Sequence, residues 1–289
     1  MFFEFQGLRV GGRDLPLIIE EYESTLGNLR TGDAERPLTG GHRPGRDFQD
    51  SGELTFTLIT GPSVRGYSTT VDTVEGALAA WRGTLDAPAG VMFPLVVEWG
   101  DGRRRVYYGR PGRSSSPDFD RYADQGHMTL VLQFRVLDPF VYDTIPTGAT
   151  ISVVPRSLGG IIAPIVTPVT TTMTSGVEYR MLTVGGDAPA PLRVTFHGPA
   201  RDPRVTVGGV EVGVVGEIAY DENVIVDGRT RSVHLDDAAQ TPAGHRLSRG
   251  SRLDLLRVEP GVHEVAFTAT DRTGTARVTV EATPAYYHL

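Results

Sequence analysis

Residues 53–60, ELTFTLIT, alternate polar and apolar side chains from Glu53 to Leu58. Leu54, Phe56 and Leu58 occupy every second position, and threonines separate them. Successive side chains of a β-strand point to opposite faces, so this period of two predicts a strand with one buried face and one solvated face. Similar short runs, bounded by Gly, Pro and Asp, occur at residues 92–99, 104–110 and 127–137.

Turn signals join such runs into predicted hairpins. Residues 99–102, WGDG, connect two of the runs in the first half of the chain. In the second half, Gly208-Gly209 separates two valine-rich runs and suits a two-residue turn with positive φ at both positions. Asp227-Gly228 separates residues 223–226 from residues 231–235 in the same way. Short strands with closely spaced turns then continue to the C-terminus, which predicts a β-sandwich.

One segment has the period of a helix. Val74, Ala77, Leu78 and Trp81 fall at positions i, i+3, i+4 and i+7, which makes a single apolar stripe. Asp72 precedes Glu75 by three residues, as in a capping box, and Gly83 is well placed to end the helix. The sequence therefore predicts a helix over residues 72–82 that packs its Trp81 face against the N-terminal sheet.

The length of 289 residues suits about two domains of roughly 150 residues each. The segment DPFVYD at residues 138–143 ends the first group of strands, and a proline-punctuated, Thr- and Ile-rich stretch follows it. We therefore predict an all-β protein with a boundary between residues 138 and 150. The first domain spans residues 1–143 and includes the helix, and the second spans residues 144–289.

Two stretches show no convincing period. Residues 27–52 are rich in Gly, Arg, Asp and Pro, and residues 110–125 contain Pro-Gly and Ser-Ser-Ser-Pro. Both are therefore expected to be irregular loops. Loops of this length inside compact domains are usually functional or disordered.

Composition and charge exclude several classes of protein. The chain has no cysteine, so disulfides and Cys-ligated metals are excluded. Residues 1–140 carry 15 Arg against 19 acids, and residues 141–289 carry 13 against 16, so neither half has the basic footprint of a nucleic-acid binder. No apolar run approaches the length of a membrane span, and the start MFFEF lacks the features of a signal peptide. We therefore expect no specific nucleic-acid binding, no membrane insertion and synthesis in a cytoplasm.

Motifs of catalysis and metal binding are missing from the sequence. The seven histidines are scattered, and none forms an HExxH or HxH cluster with nearby acids. A phosphate-binding GxxxxGK[ST] loop and a GxSxG nucleophile elbow are also absent. His197 and His263 are expected to be hydrogen-bonded strand residues. The sequence therefore predicts no catalytic residue, no cofactor site and no metal site.

Several soft motifs together resemble the distal tail proteins of long-tailed phages, often labelled minor tail proteins in phages of actinobacteria. Residues 5–10, FQGLRV, resemble the opening strand of the family's belt domain. Residues 40–47, GGHRPGRD, are similar to its Gly-rich loop, and the helix ending at Trp81 stands where the family has its single helix. Residues 134–139, FRVLDP, with Tyr142, resemble the end of that domain.

The resemblance continues through the second half of the chain. Residues 186–191, GDAPAP, are similar to the start of the family's galectin-like domain. Residues 259–265, EPGVHEV, resemble its Pro-Gly hairpin, and residues 284–287, PAYY, resemble its closing aromatic strand. The resemblance implies a belt-like β-barrel or sandwich with one helix, followed by a galectin-like β-sandwich.

The family resemblance also implies a function. Such proteins form a hexameric ring that joins the tail tube protein to the tail-tip or baseplate hub protein and leaves a channel for DNA. The chain is then a structural protein of the virion, without enzymatic activity, made in the cytoplasm of a bacterial host. We expect the loop at residues 27–52 to contact a neighbouring subunit or tail ring. The candidate interface residues are Leu29, Arg30, Arg36, Leu38, Arg43, Arg46 and Phe48.

Two other functions remain open at this point. The first is binding of a host-surface glycan at the tail tip, since galectin-like sandwiches can bind sugars; Tyr179, Tyr220, Tyr286 and Tyr287 could stack on a sugar. The second is hydrolysis of the host cell wall. A pocket with convergent acidic or histidine side chains would favour the hydrolase over the structural protein.

Overall fold

The computed structural model describes residues 1–12, 14–25, 27, 29–36, 40–61, 63–115, 127–153, 178–271 and 274–287. The chain divides into two compact units, each built mainly from antiparallel strands. Unit 1 comprises Met1–Thr144 and also Tyr287, and unit 2 comprises Ile145–Tyr286. The predicted all-β class is confirmed.

Unit 1 is a twisted antiparallel sheet with one helix in the part of it that the structure describes. Its elements are β1 (Phe2–Phe5), β2 (Leu8–Val10), β3 (Leu17–Thr25), β4 (Leu29–Arg30), β5 (Ala34–Glu35), β6 (His42–Arg43), β7 (Phe48–Gln49), β8 (Gly52–Thr60), α1 (Tyr67–Arg82), β9 (Phe93–Glu98), β10 (Arg104–Ser114), β11 (Thr129–Val136) and β12 (Val141–Asp143). The main sheet has the order β2-β1-β9-β10-β11-β8-β3, and β12 pairs with β10. Strands β3 and β2 therefore lie at its two ends.

The register of this sheet produces the apolar core of unit 1. In the β8–β11 pair, Phe56 lies opposite Leu132 and Leu54 opposite Phe134, so the apolar positions of both strands share one face. These side chains are buried, whereas the threonines between them lie on the other, partly solvated face. The alternation of residues 53–60 therefore has the structural consequence that the sequence predicts.

Helix α1 covers this apolar face. Trp81 is 1% exposed, and its ring lies 4.9 Å from the centroid of Phe5 and 6.1 Å from that of Phe134. Val74 and Ala77 are buried on the same stripe, and Leu78 is partly buried against the core. The predicted packing of the helix is confirmed.

The predicted start of the helix is wrong. The helix begins at Tyr67, five residues before Asp72, and its N-cap is Gly66, without a side-chain capping bond. Asp72 and Glu75 are exposed residues in the interior of the helix. The first turn instead bonds to the cap carbonyl, because Thr70 Oγ1 donates to the Gly66 carbonyl over 2.8 Å. Gly83 ends the helix, as predicted, and its N–H donates to the Ala79 carbonyl.

Unit 2 is a sandwich of two antiparallel sheets. Its strands are β13 (Thr147–Ser152), β14 (Glu178–Val184), β15 (Ala190–His197), β16 (Ala200–Val207), β17 (Val210–Gly213), β18 (Glu217–Ile218), β19 (Asn223–Asp227), β20 (Ser232–Leu235), β21 (Arg257–Val258), β22 (Gly261–Thr270), β23 (Arg277–Ala282) and β24 (Ala285–Tyr286). Sheet I has the order β13-β23-β15-β19-β20, with β21 on β15. Sheet II has the order β14-β22-β16-β17, with β18 on β16.

The core of unit 2 lies between these two sheets. Sheet I contributes Val194 and Phe196 of β15, and sheet II contributes Val205 of β16 and Phe267 of β22, all within one buried cluster. Polar residues alternate with them and face outward, as expected for a sandwich. The predicted β-sandwich is confirmed.

The glycine turn at Gly208-Gly209 has the predicted conformation. It joins β16 to β17, and its two glycines have φ values of 54° and 84°. A Cβ added at Gly208 would lie 2.8 Å from Nδ1 of His263, whereas one added at Gly209 would meet nothing within 4 Å. The turn therefore needs glycine for its backbone at both positions and for space at the first.

The second stretch predicted to be irregular is partly a strand. Strand β10 runs through Arg110 to Ser114, and the Ser115 N–H still donates to the Val131 carbonyl over 2.9 Å. This part of the prediction is wrong, because the ladder with β11 continues past a register shift between Pro111 and Ser114. Residues 116–126 lie outside the described residues, as do residues 154–177 of the proline-punctuated stretch. Among the described residues, no helix is both long and apolar enough to cross a membrane.

Candidate assembly surface

A hairpin arm extends from the β3–β8 pair of unit 1. We call residues 26–51, which connect β3 to β8, the arm. The pairing of β3 with β8 reaches Thr25 opposite Glu53, and the pairs β4–β7 and β5–β6 continue it along the arm. The prediction of an irregular loop over residues 27–52 is therefore wrong for the described part of this segment.

Backbone hydrogen bonds and small residues hold the two sides of the arm together. The Gly32 N–H donates to the Arg46 carbonyl over 3.2 Å, and the Gly45 N–H donates to Oδ1 of Asp33 over 2.8 Å. A Cβ added at Gly45 would lie 2.0 Å from the Gly32 carbonyl oxygen. Glycine is therefore required at position 45, because the opposing backbone occupies the space of a side chain.

The arm has no buried face in this chain. Apart from the half-buried Gly27 and Gln49, the arm residues whose burial the structure describes are exposed. Phe48 is 46% exposed. Four arginines and four acids accompany it, and none of these charges forms an ion pair among the described residues. The arm therefore offers an aromatic ring and unpaired charges to solvent.

Three of the predicted interface residues come together on the arm. Arg30 lies opposite Phe48 in the β4–β7 pair, and its Cζ is 5.5 Å from the Phe48 ring centroid. Arg46 approaches the same ring, with its Cζ at 5.6 Å from the centroid. Both distances fall within the range of cation–π attraction. We call these three residues the Arg30–Phe48–Arg46 cluster.

The other predicted interface residues are distributed along the arm or lie outside the described part. Arg36 and Arg43 are exposed near the distal β5–β6 pair and do not join the cluster. Leu29 lies in β4, where the structure describes its main chain, and Leu38 lies outside the described residues. The structure thus brings together one aromatic residue and two arginines from positions that are 18 residues or fewer apart in the chain.

The hairpin character of the arm leaves no periodic signal in the sequence. Period-two alternation signals a strand only where one face is buried, and the arm is exposed on both faces. Glu21 and Glu23 of β3 are exposed, and β3 has β8 as its neighbour at one side of the described sheet.

Candidate catalytic groups are not clustered in the described part of the chain. Among these residues, no group of three or more His, Asp or Glu side chains is placed to hold a metal ion. His197 is hydrogen-bonded through both ring nitrogens, to Asn223 Oδ1 at 2.9 Å and to Thr279 Oγ1 at 3.0 Å. His263 Nε2 lies 2.6 Å from the Glu259 carbonyl oxygen. Both histidines are thus hydrogen-bonded strand residues, as the sequence predicts.

The four tyrosines considered for sugar stacking have different surroundings. Tyr179 on β14 is 61% exposed, and Tyr220, after β18, is 79% exposed. Tyr286 is half-buried in β24, and Tyr287 packs edge-on against Phe140 with their centroids 5.6 Å apart. Tyr179 belongs to β14 and Tyr220 to the turn after β18, and β22 and β16 lie between β14 and β18 in sheet II. The two exposed tyrosines of unit 2, Tyr179 and Tyr220, therefore do not form a single stacking platform.

No protein-family model matches the chain, and no curated protein matches it significantly. Among solved structures, the SPP1 Dit (gp 19.1) protein, described as a paradigm of the hub adsorption apparatus in phages that infect Gram-positive bacteria, is similar with a TM-score of 0.56. The sequences are 13% identical, and the match covers 98% of each chain.

Two structures of the phage p2 baseplate in its activated conformation are also similar. The calcium form matches with a TM-score of 0.52 at 9% identity, over 94% of this chain and 91% of the other. The strontium form matches with a TM-score of 0.51 at 10% identity, over 93% and 91%. At these identities the likeness establishes the fold alone, because proteins of one fold can have different functions. Over nearly its whole length, the chain therefore has the fold of the phage distal tail protein type that its sequence resembles.

Proposed function

We propose that this chain is a structural subunit of a phage tail tip, located in the virion. In this proposal, six copies form a ring that connects the tail tube to the tail-tip or baseplate hub and leaves a channel for DNA. Unit 1 acts as the ring-forming belt, and unit 2 is the galectin-like domain of the subunit. The observation that carries the proposal is the likeness to SPP1 Dit over 98% of both chains, in both units rather than in a single common module.

The exposed arm supports assembly on physical grounds. Ordering a residue costs about 1–2 kcal/mol in backbone entropy, and this cost is normally offset by burial of apolar surface. The arm buries little within its own chain, because its described side chains are nearly all exposed. Contact with a neighbouring subunit or tail ring would cover the Arg30–Phe48–Arg46 cluster and give its arginines acids or carbonyl groups to bind.

The edge of β3 in unit 1 also favours a ring. Strands β2 and β3 end the main sheet and meet near Leu17, whose carbonyl accepts from the Gly11 N–H over 3.0 Å, so in the described part of the chain the longer edge is that of β3 beyond this point. A different surface of a neighbouring subunit on this edge would make a head-to-tail contact. A ring forms when such head-to-tail contacts close on themselves. The shortness of β2 and the acidic side chains of β3 discourage pairing with an arbitrary strand of another chain. Pairing at these edges therefore requires a specific neighbour.

Charge is consistent with a protein that lets DNA pass. The chain has a net charge of −7, with both halves acidic. Proteins that grip DNA neutralise phosphates with clustered Lys and Arg, and the salt-dependent affinity that results would slow passage. An acidic balance favours repulsion between the ring and the DNA over adhesion.

A structural role also accounts for the absence of an assembled catalytic centre from the described residues. The histidines described above are used in strand hydrogen bonds, and the acids of the arm and of β3 are solvent-exposed. The alternative of a cell-wall hydrolase has no observation in its favour among these residues. The alternative of sugar binding is favoured by one observation in unit 2, a surface depression lined by Arg193, Asp227 and Gln240.

The proposal is tested by shortening the arm. Deletion of residues 33–43 joins Gly32 to Pro44, close to the Gly32–Arg46 hydrogen bond, so the remaining β4–β7 pair can be kept. We expect rings with sixfold symmetry in projection images of the full-length protein, and folded monomers for the deletion variant by light scattering. Circular dichroism controls for folding. Rings of normal size and stability from the shortened chain would contradict the role of the arm, and a full-length protein that stays monomeric at high concentration would contradict the ring.

A further inference from the structure

Sheet I of unit 2 has a polar depression on its outer face. The depression measures about 350 Å³ and is lined by Arg193, Asp227, Thr230, Ser232, Val233, His234, Gln240 and Pro242. Its size lies at the lower end of the range of about 300–1,000 Å³ that is usual for ligand pockets. It can therefore hold a small ligand, or one unit of a larger one.

The strand register places the polar lining side by side. Arg193 of β15 lies opposite Asp227 of β19, and Asp227 lies opposite Ser232 of β20. His234 follows two residues after Ser232 and so lies on the same face of β20. Three neighbouring strands thus present a continuous polar row to solvent.

These polar groups are left unused by the fold. The side chains of Arg193, His234 and Gln240 make no hydrogen bond or ion pair within the described residues. Asp227 uses Oδ1 for its own turn, accepting from the Arg229 N–H at 2.8 Å and the Thr230 N–H at 3.0 Å, which leaves Oδ2 free. The depression therefore offers several donors and one carboxylate oxygen that have no internal partner.

The loop that carries Gln240 is held in a fixed conformation. Oδ1 and Oδ2 of Asp237 accept from the N–H and Oγ1 of Thr241 at 2.8 and 2.6 Å, and the Leu235 N–H donates to the Thr241 carbonyl at 2.9 Å. Within this frame Gln240 has a φ of 48°, a conformation that glutamine rarely adopts. Strained backbone of this kind persists only where the surroundings impose it, and it is often found at binding sites.

The chemistry of the lining selects a class of ligand. The charges of Arg193 and Asp227 cancel, and Glu281 lies on the other side of Arg193 in β23, so an anion would meet repulsion. The lining combines the apolar surface of Val233 and Pro242 with polar side chains, which suits a ligand that is itself partly apolar and partly polar. The guanidinium of Arg193 can only donate hydrogen bonds, and the adjacent carboxylate of Asp227 can only accept them. Two neighbouring hydroxyl groups match this pair, since one can accept from Arg193 while the other donates to Asp227.

We propose that this depression binds a neutral sugar ring, with Arg193, Asp227 and Gln240 as its principal hydrogen-bonding residues. His234 contributes a further polar contact at the edge of the ring. The inference concerns unit 2 and does not depend on formation of the ring by unit 1. A free sugar and the terminal unit of a glycan present the same ring, and the two sources differ at the anomeric oxygen.

Binding is measured on the full-length chain by changes in amide chemical shifts on addition of glucose, mannose, rhamnose or N-acetylglucosamine at millimolar concentration. We expect at least one of these sugars to shift the amide signals of Thr230, Ser232 and Gln240. Methyl glycosides form a second arm of the experiment. Binding that survives methylation identifies a glycan-linked sugar as the ligand, and binding lost on methylation identifies a free sugar.

The variants Arg193→Ala, Asp227→Asn and Gln240→Ala are each expected to weaken binding about tenfold, the effect of losing one hydrogen bond. Asp227→Asn keeps the acceptor that the turn needs, so it separates ligand binding from folding. Arg204→Ala is the matched control, because Arg204 lies on sheet II and pairs with Glu211 at 3.3 Å. The proposal is overturned if no sugar of the panel shifts these signals, if the three variants bind as tightly as the control, or if inorganic phosphate binds there in preference to every sugar.

Discussion

The phenolic oxygen of Tyr142 donates a hydrogen bond of 2.9 Å to Oδ2 of Asp138, and both side chains are buried in unit 1. Oδ1 of the same carboxylate accepts from the Phe140 N–H at 3.1 Å. Asp138 thus fixes the turn that leads from β11 into β12. These two residues, four positions apart, belong to the segment DPFVYD, which the sequence predicts to end the first domain. Their hydrogen bond holds this segment in its turn.

Replacement of Tyr142 by Phe should destabilise unit 1 by about 1–3 kcal/mol. The variant keeps the ring but leaves a buried carboxylate oxygen without its donor, and that loss costs more than a solvent-exposed hydrogen bond. Both tryptophans, Trp81 and Trp99, lie in unit 1, so tryptophan fluorescence during urea unfolding reports on this unit. Tyr220→Phe is the control, since Tyr220 is 79% exposed. Equal unfolding midpoints for the two variants would show that the hydrogen bond contributes nothing.

Replacement of Phe134 by Ala should cost about 3–5 kcal/mol of unfolding free energy, because it opens a cavity between Phe5 and Trp81. Phe48→Ala makes the same chemical change on the exposed arm and should alter the unfolding free energy by no more than about 0.5 kcal/mol. Urea unfolding followed by tryptophan fluorescence compares the two variants. A large loss of stability in Phe48→Ala would mean that the arm packs on its own unit.

The double variant Arg30→Ala with Arg46→Ala should prevent or weaken ring formation while leaving the fold intact. These substitutions remove the two guanidinium groups of the Arg30–Phe48–Arg46 cluster, which form no ion pair with the described residues of their own chain. Sedimentation velocity measures the fraction assembled. The control is Arg201→Ala with Arg249→Ala, which removes the same charge from exposed positions of unit 2. Equal assembly of the two double variants would place the interface away from the cluster.

Replacement of Gly209 by Ala should destabilise unit 2 by about 1–2 kcal/mol, since the φ of 84° is costly for a residue with a Cβ. The effect is one of backbone conformation alone, because the added methyl group would meet no atom within 4 Å. Gly209→Asn should cost less, since asparagine tolerates this conformation better. Thermal unfolding followed by circular dichroism compares the variants. An alanine variant as stable as the asparagine variant would contradict the explanation.

His197 should make the stability of unit 2 depend on pH. Burial of the ring lowers the pKa of His197 from its ordinary value of 6.5, and the positive charge of Arg277 lowers it further. The hydrogen bond that Nδ1 of His197 donates to Oδ1 of Asn223 and the charge of Asp236 oppose this shift of the pKa. The folded pKa is therefore below the unfolded one, and the unfolded chain binds more protons between the two values. The stability that the neutral, buried His197 contributes is fully present above the unfolded pKa. It declines as pH falls from the unfolded pKa to the folded pKa, because protons then bind preferentially to the unfolded chain.

The measurement is the free energy of unfolding of unit 2 at about pH 7.5 and about pH 5.5, on either side of the unfolded value. The wild-type chain should lose more stability between these conditions than His197→Gln, which cannot titrate at this position. The variant also corrects for carboxylates, which titrate equally in both proteins. A pH dependence of the same size in the two proteins would exclude His197 as its source.

The sequence by itself determined those features that short-range pattern encodes. The alternation of residues 53–60 marks β8 because its apolar side chains pack against the core, and the spacing of Val74, Ala77 and Trp81 marks α1 because a helix repeats every 3.6 residues. Gly208-Gly209 marks its turn because only glycine adopts positive φ twice without cost. In each case the conformation depends on the types and spacing of residues that are close in the sequence, so it can be predicted from the sequence.

Only the tertiary structure decided the features that depend on distant partners or on exposure. The arm is a hairpin whose two faces are both solvated, so its strands carry no apolar alternation to detect. The helix begins at Tyr67, where Thr70 Oγ1 donates to the Gly66 carbonyl, and the sequence has no side-chain capping residue at this position. Arg193, Asp227 and Gln240 share one depression because the register of three strands and a loop places them together. Strand register is set by packing of the whole sheet, and a local pattern therefore cannot supply it.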